Sequence, residues 1–244
     1  RPDGTPYMCM TGLGTFAEAI RVPAENAVPI PARVPWAEAA AFPLVFLTAW
    51  RMLVTRAALR PGETVLIWGI GGGVALAALQ IAKQRGARVL VTSASDAKLE
   101  RALALGADAT INHASAEVPR EVRRITEKRG ADVVIDSVGA ATWDRSLRLL
   151  ARGGRLVTCG ATSGPDVGLD LRRVFWHHQS ILGSTMGNDA EFRQVVGLLA
   201  QDKLRPVVDS VRPLRAAGEA FARLASGQQF GKLVLDIAAQ AAGR

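Results

Sequence analysis

A glycine-rich turn between an apolar strand and a long helix constrains the fold of this chain more than any other feature. In residues 64–83, TVLIWGIGGGVALAALQIAK, the four apolar residues from Val65 to Trp68 predict a parallel strand that is covered on both faces. Glycine lets backbone N–H groups approach a pyrophosphate at the positive end of the following helix. The pattern predicts a dinucleotide site, or a purely structural turn of the kind found in other α/β proteins. The glycines of this turn are Gly69, Gly71, Gly72 and Gly73.

Further apolar runs alternate with helical patterns after this unit. Strands that regularly alternate with helices are typical of α/β proteins. Each helix brings the chain back to the end of the sheet where the previous strand began, so that the next strand runs parallel to it. The sequence therefore predicts a doubly wound parallel Rossmann sheet of six strands. The later predicted strands are 88–92, 109–112, 132–136, 155–158 and 181–184, and the predicted helices are 97–105, 117–129 and 141–151.

The residue at the end of the second strand indicates which dinucleotide is bound. An NAD-selective site carries Asp or Glu there, where it accepts hydrogen bonds from the ribose 2′-OH. Ser93 holds this position, and Lys98 provides a nearby cation for a 2′-phosphate, so the sequence favours NADP. Alternatively, Ser93 or Ser95 only caps the helix that Asp96 opens, and Lys98 is a solvated surface residue. Asp96 is the residue that could oppose a 2′-phosphate.

Several sequence blocks occur in an order that resembles a known superfamily. The chain is similar to the medium-chain dehydrogenase/reductase superfamily, in its alcohol-dehydrogenase-like and quinone-oxidoreductase-like branch. The blocks that carry this resemblance are GTFAEAIRVPAENAVPIP, AAAFPLVFLTAW, RPGETVLIWGIGGGVALAALQIAK, LGADATINH, DVVIDSVG, GGRLVTCG, ILGST and FGKLVLDI.

The resemblance implies a division of the chain into three parts. Residues 1–46 correspond to the last part of a GroES-like catalytic domain, and residues 47–187 to the Rossmann dinucleotide-binding domain. Residues 188–244 correspond to a connecting helix and a segment that returns to the catalytic domain. In relatives, most of the catalytic domain precedes the position of Arg1. We therefore expect a Rossmann domain with remnants of the GroES-like β domain.

The resemblance also assigns contacts with an NADP cofactor. Ala75 replaces the usual last glycine of the turn, which a small side chain permits. His113 follows the third strand, where NADPH-dependent relatives often carry tyrosine, or it is an incidental surface histidine. None of the assigned residues is a catalytic acid or base, so no catalytic residue is predicted. The assigned positions are Thr48 near the nicotinamide, Gly72, Gly73 and Val74 at the pyrophosphate, His113 near the adenosine phosphate, Ser137 and Gly160 after the fourth and fifth strands, and Lys232.

We expect no metal site in this chain. The resemblance aligns the third catalytic zinc ligand of zinc-dependent relatives with Leu44, and leucine cannot coordinate a metal. Cys9 and Cys159 lack the C-x-x-C spacing of a zinc site. His177 and His178 are adjacent, so their side chains diverge on a regular element.

The resemblance implies hydride transfer from C4 of NADPH to an enone or quinone. Without zinc, a conjugated carbonyl can accept the negative charge with help from hydrogen bonds alone. Phe42, Phe46 and Trp50 could line the substrate pocket or belong to the core. The alternatives are a zinc-type alcohol dehydrogenase with upstream ligands and a non-catalytic nucleotide-binding protein. Ser93 disfavours a Rossmann methyltransferase, which needs an acid at that position.

Composition limits the partners of the chain. The formal net charge is +8, but the arginines are distributed along the predicted helices, so we expect no nucleic-acid partner. No apolar run approaches the roughly 20 residues that span a membrane, and no signal peptide is visible. We therefore expect a cytoplasmic protein with a small-molecule substrate. The apolar sixth strand, around 180–185, predicts a homodimer through an exposed sheet edge.

Overall fold

The computed structural model describes residues 14–238, and a six-stranded sheet forms its centre. The strands are β1 Thr64–Ile67, β2 Arg88–Ser93, β3 Ala109–Asn112, β4 Ala131–Asp136, β5 Leu150–Thr158 and β6 Ser180–Gly183. Their spatial order is β3-β2-β1-β4-β5-β6, and all neighbours are parallel. The predicted doubly wound Rossmann sheet is thereby confirmed. In a sheet of this order, ligands bind at the carboxyl ends of the strands, near the switch between β1 and β4.

Helices cover both faces of the sheet and enclose two hydrophobic cores. Alternate residues of β1 point in opposite directions, so that Val65 and Ile67 enter one core and Leu66 and Trp68 the other. Phe42, Phe46 and Trp50 lie in the first of these cores. The helices of the described residues are α1 Trp36–Ala41, α2 Pro43–Trp50, α3 Gly73–Gln84, α4 Asp96–Ala104, α5 Val118–Ile125, α6 Trp143–Leu149, α7 Leu171–Trp176, α8 Asp189–Ala200 and α9 Ala217–Ala225, with a π-helix at Arg51–Arg56 and 3-10 turns at Ala24–Asn26 and Leu214–Ala216.

Two predicted helices are too long. The helix predicted over 117–129 ends at Ile125, because Glu127 and Lys128 have φ angles of +52° and +70°, outside the helical region, and Gly130 N donates to the Thr126 hydroxyl at 2.9 Å. The helix predicted over 141–151 ends at Leu149. Leu150 is instead extended and pairs with Ala131, so β5 begins five residues before the predicted start at 155. Pairing with β4 determines the end of α6, whereas the local backbone conformation determines the end of α5.

A second, two-stranded sheet lies next to the glycine turn. Its strands, β7 Val208–Pro213 and β8 Lys232–Asp236, are parallel and are joined through α9. Gly231 N, immediately before β8, donates to Gly71 O at 2.9 Å. This bond connects the last described part of the chain to the turn between β1 and α3.

Candidate cofactor site

The turn between β1 and α3 has a conformation that requires glycine. Gly69 and Gly71 have φ angles of +66° and +121°, in the region that other residues rarely adopt. The turn is held to β2, because Gly69 N donates to Thr92 Oγ1 at 3.2 Å and Ile70 N donates to Thr92 O at 2.7 Å. Gly72 is the N-cap of α3, whose first N–H groups lack partners within the helix. These groups can bind an anion.

Two lysines from distant parts of the chain meet at this turn. A Cβ atom on Gly71 would lie 3.1 Å from Lys98 Cδ, and one on Gly73 would lie 2.9 Å from Lys232 Cδ. Lys98 Nζ donates to Gly227 O. Burial lowers the pKa of Lys98, and the positive charges of Arg223 and Arg101 lower it further. Because both side chains pass close to these glycines, they place positive charge beside the N-terminus of α3, where it can attract an anionic pyrophosphate.

A cavity of about 230 Å³ lies beside the same turn. Gly72, Gly73 and Lys232 line one part of it, and Phe221 and Leu235 line another. Polar backbone groups and a cation on one side and apolar surface on the other are typical of cofactor sites. The turn residues Gly72, Gly73 and Val74 and the lysines Lys98 and Lys232 thus form one group.

A second group of predicted residues lies at the ends of β2 and β3. Ser93 is buried, and its Oγ accepts a hydrogen bond from Ser95 N at 3.1 Å. Ser95 is the N-cap of α4, as one of the alternatives predicted. Asp96 Oδ1 accepts from Asn112 Nδ2 at 2.6 Å, so this carboxylate is engaged by the end of β3.

His113 belongs to this second group. Its Nδ1 lies 3.2 Å from Thr92 Oγ1, the same hydroxyl that binds the glycine turn. Burial lowers the pKa of His113, and the positive charge of Arg145 lowers it further. The lowered pKa favours a neutral imidazole, which can hydrogen-bond to an adenosine group without adding charge.

A third group lies after β4 and β5. Ser137 and Gly160 touch, since a Cβ on Gly160 would lie 3.3 Å from Ser137 O. The fully buried Asp136 fixes the first of these loops. Its Oδ1 accepts from the N–H groups of Val138 and Gly139 at 2.8 and 3.1 Å. Its Oδ2 accepts from two hydroxyls, Thr142 Oγ1 and Ser146 Oγ, both at 2.7 Å. All three groups lie at the carboxyl ends of the strands of the six-stranded sheet.

Thr48 lies in α2, next to the turn. The side chain is buried, and its Oγ1 donates to Leu44 O at 2.7 Å. Val45 on the same helix lies 2.8 Å from the Cβ position of Gly73, so α2 packs directly on the start of α3. This contact brings the helix that carries Thr48 to the turn.

Sequence reasoning missed a network in the segment that closes the site. Asp209 accepts two hydrogen bonds from Arg223 and one from Phe230 N. The ion pair with Arg223 holds the pKa of Asp209 at about 2. Gly231 N also donates a hydrogen bond to Gly71 O, and no sequence motif around either glycine indicates this bond. Only the resemblance pointed to this segment, through Lys232.

The described residues do not provide a donor set for zinc. Within 14–238, His, Cys, Asp and Glu side chains form no group of three that could hold a metal ion. Leu44 is 51% exposed at the position that the resemblance aligns with a zinc ligand. Burial, and secondarily the Asp136 charge, raise the pKa of Cys159 to about 11, which disfavours the thiolate that binds metals. Cys9 lies outside the described residues.

The sequence is similar to those of known dehydrogenases and reductases. The family described as zinc-binding dehydrogenase matches residues 73–201, which is more than half of the chain. The zinc-type alcohol dehydrogenase-like protein YogA of Leptosphaeria maculans is 34% identical over 92% of this chain and 65% of its own length. Crotonyl-CoA reductase of Streptomyces collinus is 31% identical over 86% of this chain and 51% of its own length.

The fold is also similar to solved structures of dehydrogenases and reductases. A NAD-dependent alcohol dehydrogenase superposes with a TM-score of 0.88 and 45% identity, over 92% of this chain and 65% of that protein. The 2-octenoyl-CoA carboxylase reductase CinF, in complex with NADP and 2-octenoyl-CoA, superposes with a TM-score of 0.80 and 34% identity, over 88% of this chain and 53% of that protein. The chain belongs to the zinc-binding dehydrogenase family of the medium-chain dehydrogenase/reductase superfamily. It spans less than two thirds of these four proteins.

One further observation concerns membranes. Between residues 14 and 238, each helix is too short or too polar to cross a lipid bilayer.

Proposed function

We propose that the protein is an oxidoreductase that binds NADP(H) at the turn between β1 and α3. The observation that carries this proposal is the convergence of Lys98 and Lys232 on glycines at the start of a helix. When bound, the cofactor supplies the hydride at its nicotinamide C4. The chain itself binds the pyrophosphate through Gly72, Gly73 and Val74 and neutralises it with the two lysines.

The choice of NADP over NAD rests on the end of β2. Ser93 replaces the acid that would accept hydrogen bonds from an unphosphorylated ribose. Its oxygen accepts from Ser95 N, but its own hydroxyl proton can still be donated to a phosphate. Asn112 Nδ2 donates a hydrogen bond to the Asp96 carboxylate, which weakens the electrostatic repulsion between that carboxylate and a 2′-phosphate. The NADP in the CinF complex supports this choice, whereas the 45% identical relative is NAD-dependent.

The proposed substrate is a small carbonyl-conjugated molecule, such as an enone or quinone. Leu44 cannot hold the metal that would polarise an alcohol or aldehyde, whereas hydrogen bonds alone can stabilise the charge on a conjugated carbonyl. Crotonyl-CoA and 2-octenoyl-CoA, named for two relatives, contain such a conjugated system. The similarity to YogA favours a second candidate, a zinc-type alcohol dehydrogenase whose ligands precede Arg1.

We also propose a cytoplasmic homodimer that pairs through β6. This strand lies at the edge of the sheet, and Phe175 and Trp176 on the preceding α7 are 63% and 68% exposed. An unpaired strand edge beside exposed aromatic residues is a typical association surface. Light scattering measures the mass in solution, and a monomer at micromolar concentration would contradict this assembly. The proposed division at residues 46 and 187 follows the resemblance.

Calorimetric titration with NADPH and NADH tests the cofactor site. Ser93→Asp places a carboxylate where the 2′-phosphate would lie, so it should weaken NADPH binding by about tenfold or more and favour NADH. Gln201→Asp adds a carboxylate at an exposed residue after α8, outside both the proposed cofactor site and β6, and should leave both affinities unchanged. If the unsubstituted chain binds neither nucleotide, or if Ser93→Asp leaves the preference unchanged, the assignment is wrong.

A further inference from the structure

The outer surfaces of α5, α6 and α7 line an open basic depression, which we call the arginine groove. Its volume is about 780 Å³. The prediction that the arginines are scattered along helices and not clustered is wrong here, because five of them line one cavity. Positions 120, 123 and 124 share one face of α5, and neighbouring elements bring three more cations to the same cavity. The cations that line the groove are Arg120, Arg123, Arg124, Lys128, Arg148 and Arg173.

Most of this charge has no protein partner. Arg124 pairs with Glu121 and Arg148 pairs with Asp144, each at 2.9 Å. Among residues 14–238, no carboxylate lies within 4.0 Å of the other four cations. Glu117 is the one carboxylate in the lining, and it accepts a hydrogen bond from Arg120 N at 2.9 Å as the cap of α5. The groove therefore carries a strong positive potential.

We propose that the arginine groove binds a compact ligand that carries two or more phosphate groups. Guanidinium groups pair with phosphate through two parallel hydrogen bonds, and five of the six cations are arginines. The groove is concave and is lined by three helices and the turn after α5, so a small polyanion can contact several cations at once. A long nucleic-acid strand is disfavoured, because the lining has no aromatic side chain on which bases could stack.

The absence of aromatic residues from this lining also determines the expected selectivity. Affinity should increase from phosphate to pyrophosphate to tripolyphosphate, because each added phosphate engages further cations. A nucleoside or pantetheine group should add little. Tripolyphosphate, ATP and coenzyme A share the required chemistry, and titrating them separately identifies which source fits best.

The arginine groove is separate from the cofactor site. Helices α5 and α6 pack on the core that contains Leu66, whereas α3 and the glycine turn pack on the core that contains Val65. These two neighbouring residues of β1 point to opposite faces of the sheet. A polyphosphate in the groove and a dinucleotide at the turn can therefore bind at the same time.

The test is calorimetric titration of the chain with tripolyphosphate at low salt, in the presence of excess NADPH. We expect one saturable site whose affinity falls steeply as salt is added. Arg123→Glu reverses one unpaired charge in the groove and should weaken binding by about tenfold or more. Arg215→Glu is the matched control, because Arg215 is also exposed and has no carboxylate within 4.0 Å among the described residues. It should bind as the unsubstituted chain does.

Arg123→Gln gives an intermediate loss and protects the test against misfolding of the reversal variant. Three results would overturn the proposal: no saturable binding, equal effects of the Arg123 and Arg215 reversals, or tighter binding of an oligonucleotide or acidic peptide than of tripolyphosphate. The comparison of the two reversals locates the bound ligand even if polyphosphate also binds at the glycine turn.

Discussion

Replacing Gly72 by alanine separates the folding role of the glycine turn from its proposed cofactor role. Gly72 has φ −75° and ψ 153°, which any residue adopts, and a Cβ there would meet no protein atom within 4 Å. The substitution should therefore fold normally. It should even add about 0.4–1 kcal/mol of stability, because the unfolded chain loses conformational freedom.

The same methyl group should weaken cofactor binding. Gly72 lines the cavity beside the turn, where the pyrophosphate is proposed to lie. Loss of one hydrogen bond from an N–H group to a charged phosphate costs about 1.5–3 kcal/mol, which corresponds to a dissociation constant roughly 10 to 150 times higher. The expected variant is stable but binds NADPH poorly.

Gly73→Ala should behave differently. A Cβ on Gly73 would lie 2.8 Å from Val45 Cγ1 and 2.9 Å from Lys232 Cδ. Lys232 can move away, but Val45 is buried in the core, so overpacking should cost about 1–3 kcal/mol of stability. This variant should lose both stability and NADPH affinity. Gly197→Ala in α8, where a Cβ meets nothing within 4 Å, is the control and should keep full affinity.

Urea denaturation measures the stability of these variants, and calorimetric titration with NADPH measures their affinity. The decisive value is the affinity of Gly72→Ala. If this variant binds NADPH as tightly as the unsubstituted chain, the pyrophosphate does not approach the turn, and the reasoning from the open space at Gly72 is refuted.

Three further predictions concern groups around the site. Asp136→Ala leaves two N–H groups and the Ser146 hydroxyl without their acceptor, while Thr142 Oγ1 keeps Gly139 O at 3.1 Å, and should lower the free energy of unfolding by about 3–5 kcal/mol in urea denaturation; a loss below about 1 kcal/mol would contradict the network. Asp209 has a folded-state pKa of about 2, below its ordinary value, so its ion pair with Arg223 stabilises the fold at neutral pH and is lost as pH falls from about 4 to 2. Asp209→Asn should therefore show a smaller stability loss over that range in acid titration followed by circular dichroism, and an unchanged pH profile would refute this. Because burial raises the pKa of Cys159 to about 11, iodoacetamide at pH 8 should label this residue far more slowly in the folded chain than in urea, as peptide mass spectrometry can test.

The sheet and the glycine turn could be predicted because their signals are local. A run such as Val65 to Trp68 is apolar on both faces only where helices cover both sides, and all four residues are buried. The ends of α5 and α6 could not be predicted in the same way. The chain leaves the helical conformation after α5 at Glu127 and Lys128, and after α6 at Leu150, which pairs with Ala131. Ala131 lies far from Leu150 in the chain, and the left-handed conformation after α5 falls on a glutamate and a lysine instead of on glycine, so neither boundary has a clear local sequence signal.

The candidate site shows the same division. Gly72 and Gly73 follow from spacing, but the position of Lys98 over Gly71 depends on contacts formed only in the fold. Spacing places three arginines on one face of α5, but it does not indicate the arginine groove, because Arg148 and Arg173 lie on helices that only the packing brings beside α5. Charge on separate elements becomes a site only through tertiary structure.

Asp209 connects these observations, because it holds the segment that completes the proposed cofactor site. It binds Arg223 in α9 and the N–H of Phe230, and so fixes the chain between α9 and β8. That segment offers Gly227 O to Lys98, and its Gly231 N bonds to Gly71 O. Lys232 follows directly and reaches Gly73. Without this segment, the lysines beside the glycine turn would be free in solvent. A bound pyrophosphate would then have to order their side chains, and the lost side-chain entropy would weaken binding. A buried carboxylate in the returning segment removes part of that cost, because it positions the backbone around both lysines before the cofactor arrives.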